Sequence, residues 1–187
     1  MDQVGGIESM VLGAFVSGCF FGLVALALAR AVGWVTAAAV AGFAWSVVVI
    51  ALVTLLPLTA IDLQMPADAS PDQCSTDYGG PAPEGFWIFS GTQRTLNTAL
   101  FVPAGALLVL GAARWRVAAW VVVPAGLAAL AAYSVGIEVA QLEVASIGRA
   151  CDVTDVVDNV TGAIIGAALG LFLALVFRPW RHRRRPG

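Results

Sequence analysis

The chain predicts an all-α fold: a polytopic membrane bundle of about five transmembrane helices, N-terminus out and C-terminus in. Three observations carry this. Of 187 residues, 59% are apolar and only 12% charged, against about 25% charged in soluble globular domains. Several apolar runs exceed the roughly 18 residues that mark a spanning helix. The arginines, finally, fall at alternate ends of those runs.

The first run, 10–29, follows a segment that carries Asp2 and Glu8 and no basic residue. A cleaved leader requires a positive n-region, so the run is read as a retained spanning helix. The second run covers 34–58, the third 96–113, the fourth 117–141 and the fifth 156–177. Each is close to the roughly 20 residues that hydrocarbon requires at 1.5 Å rise per residue. The long connection 59–92 holds Pro66, Pro71, Pro81 and Pro83 and the pair Gly79 and Gly80, and it ends in the aromatic stretch 86–89, read as a headgroup-level anchor. The chain thus divides into two N-terminal helices with the long extracytoplasmic loop (1–93), a three-helix core (94–177) and a basic cytoplasmic tail (178–187).

Orientation follows from the arginines, because short cytoplasmic loops collect positive charge. With the N-terminus outside, Arg30, Arg114, Arg116, Arg178, Arg181, Arg183, Arg184 and Arg185 are cytoplasmic, and only Arg94 and Arg149 are outside. All the acids fall on the outer side. The tail is a topology determinant that also meets anionic lipid, with His182 a solvated bystander; it is not read as a nucleic-acid site.

The three cysteines are Cys19, Cys74 and Cys151. Cys74 and Cys151 share the oxidising side, where disulfides persist, and are expected to bridge the long loop to the start of the fifth helix. Cys19 is expected to be a small buried packing residue.

Depth can be counted from the cytoplasmic arginines. Twenty residues back from Arg114 reaches Arg94, and twenty back from Arg178 reaches Asp158; twenty on from Val117 reaches Ile137, beside Glu138. Arg94 and Asn97, Glu138 and Gln141, and Asp155 and Asn159 therefore stand at one level. Ser134, Glu138 and Gln141 are spaced i, i+4, i+7 and share a helix face. Asp152, Asp155 and Asn159 share another, which continues inward as Gly162, Gly166 and Gly170. Such a small-residue stripe lets a neighbouring helix approach closely. Ionisable groups in membrane segments are functional candidates because burying them without a partner is expensive. The alternative is an ion-pair network, Arg94 and Arg149 with acids, that holds helix ends in register.

These residues resemble a known signature. Asn97-x3-Phe101-x-Pro103-x-Gly105, followed by Ser134-x3-Glu138-x2-Gln141-x7-Arg149-x2-Asp152-x2-Asp155-x2-Asp158-Asn159-x2-Gly162-x3-Gly166, is similar to the pattern of the VanZ-like family, over about residues 94–170. That family is named for a membrane protein associated with resistance to glycopeptide antibiotics, notably teicoplanin. The resemblance implies a multi-pass protein of the bacterial cytoplasmic (inner) membrane with a cell-envelope role at its outer face. It supplies no reaction.

Three functional readings follow. In the first, the outer rim binds or modifies a lipid-linked headgroup: a membrane lipid or a lipid-linked envelope precursor. Arg94 and Arg149 engage phosphate or carboxylate, Glu138, Asp152 and Asp155 pair them or bind a sugar hydroxyl or amine, and Asn97, Gln141 and Asn159 add neutral hydrogen bonds. In the second, the protein is an enzyme, a transferase or hydrolase with Glu138 as the catalytic acid or base. Glu138, Asp152 and Asp155 are then candidate ligands for a divalent cation, Mg²⁺ or Ca²⁺. In the third, it is a structural subunit with the polar cluster as a latch.

Overall fold

The computed structural model describes residues 6–56, 74, 90–143 and 152–181. Five helices run through them: α1 Ile7–Val32, α2 Trp34–Leu55, α3 Ser90–Ala112, α4 Arg116–Glu143 and α5 Val153–Phe177. All five are long and apolar enough to cross a membrane, as expected, and no strand occurs among the described residues. The aromatic stretch 86–89 and His182 lie outside the described residues.

The helices outrun the apolar runs. α3 begins at Ser90 rather than 96, and α5 at Val153 rather than 156. Hydropathy marks only the segment that lipid must cover, whereas the helix continues through polar turns. Arg94 consequently lies inside α3, where its side chain is carried on a rigid backbone.

Consecutive helices run antiparallel, so α3 and α5 run parallel, and this pair forms the closest packing in the bundle. A Cβ placed on Gly162, Gly166 or Gly170 would collide with the backbone carbonyl of Thr98, Val102 or Ala106 respectively. Gly105 of α3 meets the carbonyl of Ala163 in the same way. The two backbones are therefore in direct contact, as the glycine stripe predicts. Every rung of the first ladder has the same 64-residue offset, and so does the ion pair between Arg94 and Asp158 above it. The i, i+4 ridge 94, 98, 102, 106 thus lies along the ridge 158, 162, 166, 170, the row geometry by which helices interdigitate.

Around this pair the core gathers Ile50 of α2, Phe101, Ala104 and Leu108 of α3, Leu130 and Ile137 of α4 and Ala163 of α5. Phe101 and Ile50 are completely buried. The outward faces carry large apolar side chains, with Val117 87% and Trp120 84% exposed. Only lipid covers such a surface without penalty.

Polar links between helices are sparse. The Tyr133 hydroxyl of α4 donates to the carbonyl of Val47 in α2 at 2.9 Å. Interhelical hydrogen bonds in membranes average about 0.6 kcal/mol, with a maximum of about 1.7. Tyr133→Phe is therefore expected to lower unfolding stability in bicelles by about 0.6 kcal/mol, measured by denaturant titration. A loss above about 2 kcal/mol would assign the hydroxyl a larger role than this bond.

α1 is peripheral and packs chiefly on α2. Gly33, at φ 81°, is the whole connection between them, a backbone conformation that favours glycine. Gly13 makes room for Leu52, Gly18 makes room for Trp45, and the Trp45 indole N–H donates to the Ala14 carbonyl at 2.9 Å. Here one expectation is corrected: Cys19 is a free, exposed thiol, not a buried packing residue. The face of α1 with Gly13, Ala14 and Gly18 is spent on α2, which leaves Cys19 on the lipid side.

At the arginine-bearing end, α5 stops at Arg178, which adopts the left-handed conformation (φ 48°). The chain then turns through Pro179–Arg181 and tucks Trp180 against the buried cluster of Ala39, Leu110 and Ala174. The Arg116 guanidinium lies over the Trp180 ring at 5.7 Å. The first residues of the basic tail are thus packed under the bundle.

Candidate functional site

The opposite end of α3, α4 and α5 holds the polar cluster, and its geometry begins with the ion pair. Arg94 Nε donates to Asp158 Oδ2 at 2.9 Å and Nη2 donates to Oδ1 at 3.1 Å, a fork-to-carboxylate contact. Exposure is unequal: the Arg94 side chain is 43% exposed and that of Asp158 only 9%. The carboxylate is the buried anchor, and the guanidinium keeps a solvated side.

Beside Asp158, Asn159 turns to α4. Its Nδ2 donates to Ser134 Oγ at 2.9 Å, with both residues buried. One turn along α4, Glu138 is 4% exposed and its Oε2 accepts the backbone N–H of Asp152 at 3.0 Å. Asp152 is the N-cap of α5, and its own Oδ1 accepts the N–H of Thr154 at 2.8 Å. Helix N-termini expose unpaired N–H groups and a partial positive charge, so a buried carboxylate is stabilised there. Gln141, also buried, donates from Nε2 to the carbonyl of Thr54 at 3.1 Å. That carbonyl belongs to the last turn of α2, whose carbonyls lack intrahelical donors.

The expected faces are largely present, with one refinement. Ser134, Glu138 and Gln141 do form one buried face of α4. On α5, however, Asp158 rather than Asn159 continues the glycine row toward α3, while Asn159 leads to α4. Asp152 and Asp155 are half-buried at the margin. Asn97 is half-buried on α3 and makes no hydrogen bond among the described residues. Arg149 and Cys151 lie outside the described residues, and so does the expected bridge from Cys74 to Cys151.

The cluster thus divides into two sets. Ser134, Glu138, Gln141, Asp158 and Asn159 are buried, and each is held by an internal hydrogen bond. Arg94, Asn97, Asp152 and Asp155 keep accessible surface. Among the described residues no group of three carboxylate, His or Cys side chains converges to hold a divalent cation. Glu138 reaches the Asp152 backbone rather than its carboxylate, which is turned to Thr154.

Asp158 and Thr54 were not among the site residues expected from sequence. For Asp158 a signal existed, since the count from the helix-end arginines placed it level with Arg94. Thr54 contributes a carbonyl, for which side-chain identity gives no signal.

Fold and site together define a polytopic helical membrane protein with a buried, internally bonded polar cluster at one end of the bundle. The chain belongs to the VanZ/LLP1 family, whose sequence model matches residues 43–178. The match extends beyond 94–170 and takes in most of α2, the helix that Tyr133 and Gln141 tie to the rest. No curated protein matches the chain, and no solved structure does.

Proposed function

We propose that the accessible rim of this cluster binds the anionic headgroup of a lipid or lipid-linked envelope precursor at the outer leaflet of a bacterial cytoplasmic membrane. The observation that carries the reading is the half-exposed guanidinium of Arg94, held in a fixed orientation by buried Asp158 three residues from the amide of Asn97, which makes no hydrogen bond among the described residues. A pre-oriented guanidinium offers paired N–H donors to phosphate or carboxylate, and Asn97 adds a neutral donor and acceptor. Arg149, expected at the same rim, supplies a second positive charge. The outward placement rests on the arginine distribution. Modulation of glycopeptide susceptibility follows if the headgroup belongs to the cell-wall precursor pool.

The latch reading has specific support of its own, in the internal bonds of Glu138, Gln141 and Asn159. It assigns the buried set to holding α2, α4 and α5 in register, and Glu138 then positions α5. Under the enzyme reading Glu138 moves a proton instead. Glu138→Gln separates the two, because the amide oxygen still accepts the Asp152 N–H but cannot act as a base.

The test uses purified protein in nanodiscs of bacterial lipid, with retained lipids read by mass spectrometry. Asn97→Ala and Arg149→Ala are expected to lower headgroup binding about tenfold each, the loss of roughly 1.4 kcal/mol, with an unchanged melting temperature. Glu138→Gln is expected to leave binding intact. If wild-type protein retains no headgroup-bearing lipid above a control membrane protein, the binding reading is wrong. We also propose the Cys74 to Cys151 bridge; since Cys19 is free, Cys151 is the remaining partner in the chain. Peptide mapping without reduction should yield that cross-linked pair, and free thiols at both positions would exclude it.

A further inference from the structure

The arginine-bearing end of the bundle has a feature that the rim does not explain. An apolar crevice of about 330 Å³ opens between α2, α3 and α4, within the size range of small-molecule sites. Val40 and Phe43 of α2, Leu107 and Gly111 of α3, Ala119 of α4 and Trp115 of the α3–α4 turn are among its walls. The space exists because small residues, Gly111, Ala112, Ala118 and Ala119, stand where α3 turns into α4. Its lining belongs to the halves of the helices nearest the arginines, so the crevice is confined to one leaflet.

A void with walls of this kind does not hold water, because water needs polar partners. Left empty, it forfeits the dispersion contacts of its lining atoms. What adjoins it in a membrane is acyl chain. The charge that adjoins its wall in the chain selects among lipids. Trp115, 48% exposed, is flanked in the chain by Arg114 and Arg116. Arg116 already lies over Trp180. Arg114 is half-buried and makes neither an ion pair nor a hydrogen bond among the described residues. Arg30, Arg178 and Arg181 stand at the same end, and the described acids are at the other. Basic pockets between helices on that side of a membrane suit anionic lipid headgroups.

We infer that this crevice is a binding site for an anionic phospholipid, one acyl chain lying between α2, α3 and α4 and the phosphate meeting Arg114. The site is independent of the polar rim, at the opposite end of the bundle, and does not rest on the function proposed there.

Native mass spectrometry of the full chain, released from micelles after equilibration with phosphatidylglycerol or phosphatidylethanolamine, tests the assignment. Wild type is expected to retain phosphatidylglycerol about fivefold more strongly than phosphatidylethanolamine, the contribution of one arginine beside a net negative headgroup, a charge that the ethanolamine ammonium cancels. Arg114→Gln should remove that preference, and Ala119→Trp, which fills the crevice, should remove the retained lipid. Gly136→Ala, which lines neither the crevice nor the rim and has open space around it, should change neither. Because Ala119→Trp can disturb packing, a second measurement uses brominated phosphatidylglycerol, which should quench wild type more than Trp115→Phe. Equal retention of the two lipids by wild type, retention unaffected by Ala119→Trp, or a dimer that Ala119→Trp dissociates would each overturn the assignment, the last in favour of a second copy of the chain.

Discussion

Gly162→Ala is expected to destabilise the bundle by about 3 kcal/mol, the upper end of the usual overpacking range. The same exchange at Gly136 is expected to stabilise by up to ~1 kcal/mol. The opposite signs follow from what a single methyl group meets. At an ordinary helical site alanine is favoured over glycine, because glycine gives up more backbone freedom on folding. At Gly136 nothing lies within 4 Å of the added carbon, so only that propensity acts. At Gly162 the carbon overlaps the carbonyl of Thr98, a backbone group that cannot rotate aside as a side chain does. α3 and α5 must then separate, and because the glycine rungs share one register, Gly166 and Gly170 lose contact with it. Thermal unfolding of both variants in one detergent decides the point. A Gly162→Ala melting temperature equal to wild type would mean that the two backbones are not in contact.

How far the sequence foretold this is uneven, for physical reasons. The five spans were legible because lipid imposes a length and a composition on every crossing segment. The glycine stripe was legible because spacing alone reveals it. The partner of the stripe was not, since the carbonyls of Thr98, Val102 and Ala106 belong to the backbone and any residue there presents the same group. Counting from the helix-end arginines put Arg94 and Asp158 level, as their ion pair requires, but did not give the pairing of the cluster. Asp158 and Asn159 are neighbours in the chain, separated by 100° around the helix, and helical phase by itself does not say which of two adjacent polar residues faces which helix. Cys19 was misplaced for a related reason. In a soluble protein an apolar cysteine is usually inside, whereas on a peripheral membrane helix such as α1 the lipid-facing side is equally apolar.

Arg94→Ala is expected to cost about 2 kcal/mol, and Asp158→Ala less, although the two substitutions break the same pair. Removing the arginine leaves a carboxylate that is 9% exposed without its guanidinium partner. Removing the aspartate leaves a guanidinium that is 43% exposed and can turn to water. The figure is set below the ~3–5 kcal/mol of a fully buried pair because solvent screens the arginine. The double variant should be less damaged than the sum of the singles, with a coupling of about 1 to 2 kcal/mol, since neither orphaned charge remains. Equal single costs and an additive double would show that the pair contributes no mutual energy. The same variants bear on function. The double variant restores much of the lost stability but not the guanidinium at the rim. A folded Arg94→Ala/Asp158→Ala protein that still retains headgroup-bearing lipid makes the pair a latch alone, joining the first rung of the α3–α5 ladder. One that folds and loses the lipid shows that the register holding the helices together is also what presents Arg94 to its ligand.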